Sequence, residues 1–361
     1  MMLLVSTVLF WVFSWGLMLL TGNALIHWLK NLKGMKWSPR EDTPDSHLQK
    51  AGTPSMGGIG IIGSATLVWL ASLSLVAAFI LFAPPPRGSV VSLTLWQHLG
   101  RVLLALCVLS HCVLGFADDW SKATRRGGLS SKAKLLGQVI LGTLFLLAVR
   151  FTLPNLPLGM PLAEHYLLFN ALTFAVALLL IIGTSNAVNL TDGIDGLGAG
   201  LCVQVALAMM IVPFDPARRG TEFFASTAQI FWMCLGGACL GFLAFNKNPA
   251  RVFMGDTGSL ALGAALGAGA ILTRSVFLLP FIGFIFYIEM FSVMAQVAYF
   301  KYTKKRFGEG RRIFRRAPLH HHFELGGWSE WRVVGTFWAI NALTTILGLV
   351  LWKLGFLPRF P

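Results

Sequence analysis

Residues 1–29 read MMLLVSTVLFWVFSWGLMLLTGNALIHWL, and no Asp, Glu, Lys or Arg interrupts them. About twenty apolar residues cross the ~30 Å hydrocarbon layer of a bilayer as a helix, so this stretch predicts a membrane span. It is too long for the apolar core of a cleavable signal, has no basic region ahead of it, and lacks a small-x-small cleavage site. Its basic flank, Lys30, Lys33 and Lys36, comes after it. Lys and Arg collect in cytoplasmic loops, so the N-terminus is expected outside.

The rest of the chain continues in the same character. Of 361 residues, 55% are apolar and 12% charged; soluble domains carry about 25% charged residues. Mean hydropathy is +0.70. Ten stretches read as spans: 3–29, 58–83, 97–116, 135–153, 166–183, 197–213, 226–245, 259–273, 276–300 and 334–353. They are continuously apolar rather than alternating, which excludes an outer-membrane barrel, and the composition excludes disorder. The expected fold is all-α: a polytopic integral membrane protein of about ten transmembrane helices, with residues 1–361 as one domain.

Charge gives the orientation. The net charge is +14, from 29 Lys and Arg against 15 Asp and Glu. In a soluble protein that balance would suggest nucleic acid. Here 21 of the 29 basic residues fall in alternate connections, 30–57, 117–134, 184–196, 246–258 and 301–333. The positive-inside rule makes these five cytoplasmic loops, with both termini periplasmic and no nucleic-acid partner. The outside connections, around Pro84 to Pro86, 154–161 and 213–216, are Pro-rich turns. Cys107, Cys112, Cys202, Cys234 and Cys239 lie in apolar runs without a C-x-x-C pair. They read as small buried hydrophobes, not as a disulfide or zinc framework. Gly237/Gly241 and Gly263/Gly267 have the small-xxx-small spacing of close helix packing in lipid.

Acids are scarce, so their placement carries information. Asp118-Asp119, Asp192 with Asp195, and Asp256 each sit where an apolar stretch meets an inside loop. A carboxylate in hydrocarbon is costly, and three such clusters at one level suggest a shared polar site. Adjacent helical residues point about 100° apart, so Asp118 and Asp119 are expected to do different jobs, one of them facing a lysine such as Lys122 or a metal. Asn186 to Gly196 is the most polar segment between spans yet holds no basic residue; it could hydrogen-bond a base or sugar, or be a capped turn. In Asn246 to Ser259, Asp256 lies between glycines just ahead of a span. That suits a hard cation, since Mg²⁺ takes one or two carboxylates plus substrate phosphate oxygens; an N-cap is the plainer reading. Gly58 to Gly63 matches G-x-G-x-x-G but opens a span, and a dinucleotide site needs a strand before it. The loop Lys50 to Gly58, with Ser55 and one lysine, can approach phosphates closely. In Pro318 to Glu324, His320, His321 and His322 spread around a helix and cannot easily converge on one zinc. Donation to phosphate suits them better, while Arg311, Arg312, Arg315 and Arg316 beside them read as membrane-surface charge.

Together these segments resemble the bacterial phospho-N-acetylmuramoyl-pentapeptide transferases, a branch of the polyprenyl-phosphate N-acetylhexosamine-1-phosphate transferase superfamily. The matching stretches are Lys50 to Gly58, Asp118-Asp119, Ser185 to Gly198, Phe245 to Gly263 and Pro318 to Glu324, in the family's order. Ser55 stands where the family usually has Thr, and Ile194 where Leu is usual. The resemblance implies a fold of membrane helices in the bacterial cytoplasmic membrane, working as a homodimer with the site on the cytoplasmic face. It implies a reaction in which UDP-MurNAc-pentapeptide and undecaprenyl phosphate, a membrane lipid, give lipid I and UMP with Mg²⁺. It implies Asp118, Asp119 and Asp256 as catalytic residues, with Asp256 on the metal. Asn189, Asp192, Asp195 and Phe253 match positions near the nucleoside, and Lys50, Ser55, Lys122, Asn246 and His320 to His322 match phosphate- and sugar-facing positions. Direct displacement and a covalent phospho-aspartate route both fit it. Two other readings are a sister enzyme using UDP-GlcNAc and an ion-coupled transporter, which would carry acids nearer mid-span; Glu289 is the one plausible such acid.

Overall fold

The computed structural model describes residues 2–32, 50–82, 91–125, 127–152, 167–212 and 222–357. Lys33, Lys36 and the three Pro-rich outside connections lie outside the described residues. The described chain is helical, and ten long helices fall on the ten apolar stretches: α1 Met2–Asn31, α2 Gly58–Phe82, α3 Val91–Arg125, α4 Ser131–Thr152, α5 Leu167–Thr191, α6 Leu197–Ile211, α7 Glu222–Asn246, α8 Gly255–Leu272, α10 Phe284–Phe307 and α12 Glu330–Lys353. Two short helices complete the order, α9 Leu279–Ile282 and α11 Leu319–Glu324. Among the described residues, eight helices are long and apolar enough to cross a membrane. The fifteen residues of α6 and the apolar stretch Gly58–Ser72 of α2 are shorter. Leu20, Leu67, Val113, Phe151, Leu179 and Leu343 point outward and are exposed, as expected of an integral membrane protein whose outer faces meet lipid.

The molecule is built around α8. This helix is composed of Gly, Ala and Leu with few larger residues, and it is apolar on every side, the mark of a helix buried all round. It is 83% buried, against 22% for the apolar stretches of α1 and α10. It packs on α2, α3 and α5, while α7 packs on α1, α2 and α6. In lipid, small residues let backbones close on each other. A Cβ on Gly115 of α3 would stand 2.1 Å from the Asp256 carbonyl of α8, and one on Gly58 of α2 would stand 2.2 Å from Gly258. Both glycine pairs read from the sequence are packing contacts: Gly263 and Gly267 meet Thr184 on α5, and Gly237 and Gly241 meet Trp11 and Trp15 on α1. Four of the five cysteines are buried, Cys112 is half-buried, and all are free thiols.

The boundaries differ from the hydropathy pattern in a consistent direction. Helix α3 runs nine residues past 116, α5 eight past 183, and α8 and α4 each begin four residues early. Hydropathy marks where lipid contact ends. The backbone ladder continues into the polar layer wherever side chains find partners, so polar residues read as loop are carried on rigid helix ends. The stretch 276–300 breaks where it was read as continuous. A 3₁₀ turn at Val276–Leu278 leads into α9. Pro280 in the first turn of α9 and Gly283 between α9 and α10 mark the interruption.

Candidate active site

Where α3 and α8 cross at Gly115, the last turns of α3 come against the first turn of α8. Asp118, Asp119 and Asp256 offer carboxylate oxygens within 4.8 Å of one another. Two lysines sit among them. Lys122 Nζ lies 2.7 Å from Asp118, 3.1 Å from Asp256 and 3.5 Å from Asp119. Lys134, in the first turn of α4, bridges Asp118 at 3.0 Å and Asp256. Asn189 on α5 donates to Asp256 at 2.9 Å and to Ser259 at 2.9 Å.

The adjacent aspartates do different jobs, as their 100° separation requires. Asp119 accepts from the backbone amides of Asp256 (3.2 Å) and Thr257 (3.0 Å) and from the Thr257 hydroxyl (2.7 Å). The first amides of a helix have no partner within it, and a carboxylate there also meets the positive end of the helix dipole. Asp119 thus caps α8 from a neighbouring helix, and Asp256, which was open to reading as an N-cap, is free to face the lysines. Asp118 turns the other way, accepting from the Leu129 amide at 2.7 Å while holding both lysines.

The loop before α2 is tied to this corner through its backbone. The Phe253 amide donates to the Pro54 carbonyl at 2.8 Å, Gly57 to Phe253 at 2.8 Å and Gly58 to Met254 at 2.9 Å. Met56 takes a φ of 73°, a conformation that side chains disfavour. A Cβ on Gly255 would meet Asp119 at 2.5 Å and Ser55 Oγ at 2.8 Å, so Ser55 stands beside the acidic cluster.

The turn between α5 and α6 links the cluster to a second one. Asp195, 3% exposed, pairs with Lys50 at 2.8 Å and accepts from Asn248 (3.2 Å) and the Ala250 amide (2.9 Å). Asn246 accepts from the Gly196 amide at 3.1 Å and donates to the Val252 carbonyl at 3.0 Å. Asp192, half-buried between the two clusters, has its carboxyl pushed well above the usual carboxylate range, first by burial and then by Asp256, Asp119 and Asp195. Phe253 is half-buried on the same corner. His320 is fully buried between Glu289, whose carboxylate takes its amide at 3.0 Å and lies 3.2 Å from Nδ1, and Gly193, where a Cβ would come within 2.4 Å of Nε2.

The His321 ring lies 4.1 Å from that of His320, centroid to centroid, while His322 turns away towards Phe314. His321 pairs with Glu324 at 2.8 Å, and His322 accepts from the Arg315 amide at 3.1 Å. The three histidines do not converge, as read from their spacing. Glu289, the mid-span acid, is paired within the protein and sits against α11. Sequence reasoning missed Lys134, Glu330, Asn248 and Thr257 as site residues. Thr257 and Asn248 lie inside the stretch singled out around Asp256, but nothing marked their partners. Lys134 read as one loop charge among five, and Glu330 fell in the inside loop 301–333 without being singled out.

The three carboxylates form a hard-oxygen donor set, with Asn189 donating to one of them. Such a set fits Mg²⁺, and the two lysines in its midst suit phosphate oxygens.

A family model described as glycosyl transferase family 4 matches residues 101–274, which contain all three aspartates. Curated relatives cover nearly the whole chain. The phospho-N-acetylmuramoyl-pentapeptide-transferase of Heliobacterium modesticaldum is 42% identical over 336 residues, 92% of this chain and 94% of the relative. Those of Shouchella clausii and Geobacillus thermodenitrificans are 40% and 41% identical, covering 94% and 90% of this chain and 95% and 91% of theirs.

Proposed function

The chain belongs to the phospho-N-acetylmuramoyl-pentapeptide-transferase family, and from that premise we propose that it moves phospho-MurNAc-pentapeptide from UDP-MurNAc-pentapeptide to undecaprenyl phosphate, releasing UMP. The observation that carries this reading is the carboxylate–lysine cluster at the crossing of α3 and α8. Both substrates are anions, and one of them is a lipid. A site that brings their phosphates together must offset like charges at the edge of the hydrocarbon layer. Helix ends bearing Asp118, Asp256, Lys122 and Lys134 meet that requirement.

Asp256 would hold Mg²⁺, with Asp118 and Asp119 within reach; when bound, the ion neutralises diphosphate charge and so favours departure of UMP. Lys122 and Lys134 exchange their carboxylate partners for phosphate oxygens of the two substrates. Asp118 accepts the proton of the prenyl phosphate, or orients that phosphate when it is already ionised. The freed oxygen attacks the sugar-linked phosphorus. A new P–O bond forms as the bond to the UMP oxygen breaks, so the diphosphate linkage passes from nucleotide to lipid. Asp119 keeps the start of α8, and with it Asp256, in register. Asn189 orients the Asp256 carboxylate. Asp192, Asp195 and Phe253 receive the nucleoside; Lys50, Ser55, Asn246 and His320 to His322 support phosphates and sugar.

The same reading takes the bacterial cytoplasmic membrane as the location, with ten spans, both termini periplasmic and the cluster on the cytoplasmic face. It takes residues 1–361 as one transferase domain and a homodimer as the working unit. The packing of α8 on α2, α3 and α5 supports a single domain.

The test is UMP release by purified protein in detergent with undecaprenyl phosphate, Mg²⁺ and UDP-MurNAc-pentapeptide, with UDP-GlcNAc in parallel. Release with the muramoyl donor alone, lost on chelation and in a folded Asp256→Ala protein, is expected. Release with UDP-GlcNAc alone would keep the chemistry and overturn the donor.

A further inference from the structure

We propose that Glu330 is a positioning residue for the donor: from the first turn of α12 it holds the 192–196 turn and Lys50 in the arrangement that receives the nucleotide. The inference rests on the transferase reading above and adds a residue that touches none of the reacting atoms.

The first turn of a helix is a favourable place for a carboxylate even when it faces water, and Ser329 already caps α12 through the Arg332 amide. Glu330 nevertheless turns inward, its side chain 14% exposed. Its Oε1 accepts from the Asp195 amide at 2.7 Å and from Lys50 Nζ at 2.5 Å, and its Oε2 accepts from Asn248 at 2.6 Å. These partners belong to three separate connections: the loop before α2, the turn between α5 and α6, and the segment between α7 and α8.

The group holds two carboxylates and one ammonium. A part-buried excess of negative charge is costly unless neutral donors meet the remaining lone pairs. Here they do: the Asp195 and Ala250 amides and the Asn248 side chain supply them. Without the Glu330 carboxylate, the Asp195 amide loses its acceptor, and Lys50 loses one of the two carboxylates it pairs with among the described residues. Both losses fall on the turn whose other end carries Asn189 to Asp256. Glu330 acts through Asp195 and Lys50, so its removal is expected to weaken capture of the nucleotide and to leave the phosphoryl chemistry at the α3–α8 crossing.

Full-length wild type, Glu330→Ala, Glu330→Gln and Glu330→Asp are compared by steady-state kinetics, varying donor and lipid acceptor separately, and by calorimetric titration with UMP. For the Ala and Gln variants the expected result is a donor KM raised roughly tenfold or more, the size of one lost hydrogen bond to a charged group. UMP affinity should fall in parallel, while kcat at saturation and the acceptor KM stay within about threefold. Glu330→Asp, which keeps the charge, should fall between. If the Ala variant does not fold, Glu330→Asp and Asn248→Ala carry the test, the latter expected to raise donor KM by a smaller factor. Folded variants with unchanged donor KM and UMP affinity, or with a loss confined to kcat, would overturn the proposal. Wild type that binds UMP but does not turn over the muramoyl donor would overturn the transferase reading instead, and UMP titration of the variants would still decide the role of Glu330. Wild type that binds no UMP would overturn both.

Discussion

Two neighbouring side chains illustrate how much one residue's direction decides. Asp118 and Asp119 are chemically identical and adjacent, yet one grips two lysines and the other caps a helix. Their variants should therefore fail differently. Asp119→Ala should lower both thermal stability, by about 1 kcal/mol for the lost cap, and turnover. Lys134→Ala leaves Asp118 and Asp256 with Lys122 as their one lysine among the described residues, so it should also lower the melting temperature. Its larger effect should be on kcat/KM of the folded protein, lowered roughly 10²–10³-fold as for loss of one preorganised charge donor. Thermal melts and kinetics on the same preparations separate the two. A different residue sets a pH response. Burial pushes the His321 imidazole below its usual range, against the raising effect of Glu324. A lowered folded pKa means stability that is full above about 6.5 and is lost as pH falls through the folded value. The melting temperature should drop between pH 7.5 and 5.5 by less in His321→Gln than in wild type; an equal drop would count against this assignment.

Among the elements, α8 is the one on which the site depends. Its small residues allow α2, α3 and α5 to approach at backbone distance, and its amino end delivers Asp256. Gly115→Ala should force α3 and α8 apart, because the added carbon would stand 2.1 Å from a backbone oxygen that cannot move alone. Overpacking of this kind costs about 1–3 kcal/mol, and separation of Asp118 from Asp256 should abolish UMP release even where the protein still folds. The interruption at 276–283 lets α10 start afresh at Phe284. Glu289 then lies one turn inside α10, against His320 of α11. The mid-span acid that would have suited a transporter is thereby accounted for by a pairing within the protein.

For the whole molecule, orientation is the property that the reaction requires, since the soluble donor and the lipid must reach one site. Glu309 follows α10 and is exposed, in the most basic of the alternate connections. With four of the native cysteines buried, background labelling is low. A Glu309→Cys protein should react with a membrane-impermeant maleimide in inverted vesicles and not in intact cells. The reverse pattern would invert the topology argued from charge.

Hydropathy and charge sufficed for much of this. Runs such as residues 1–29 specify helices because an unpaired backbone is intolerable in hydrocarbon, and that constraint acts within each segment. Asp118, Asp119 and Asp256 were visible for a related reason: acids beside spans are too costly to be incidental. Lys134 and Asn248 carry no such signal, being ordinary polar residues near helix ends, and Glu330, though an acid beside a span, stands in the most basic loop with no second acid beside it in sequence to mark a site. Their partners are 16 to 280 positions away in the chain, so only the crossing of α3 over α8 and the convergence of three loops on α12 could give them a role. Local free energy sets which segments become helices. Which polar ends then meet depends on contacts between distant segments, through glycines that let two backbones touch and carboxylates that cap another helix.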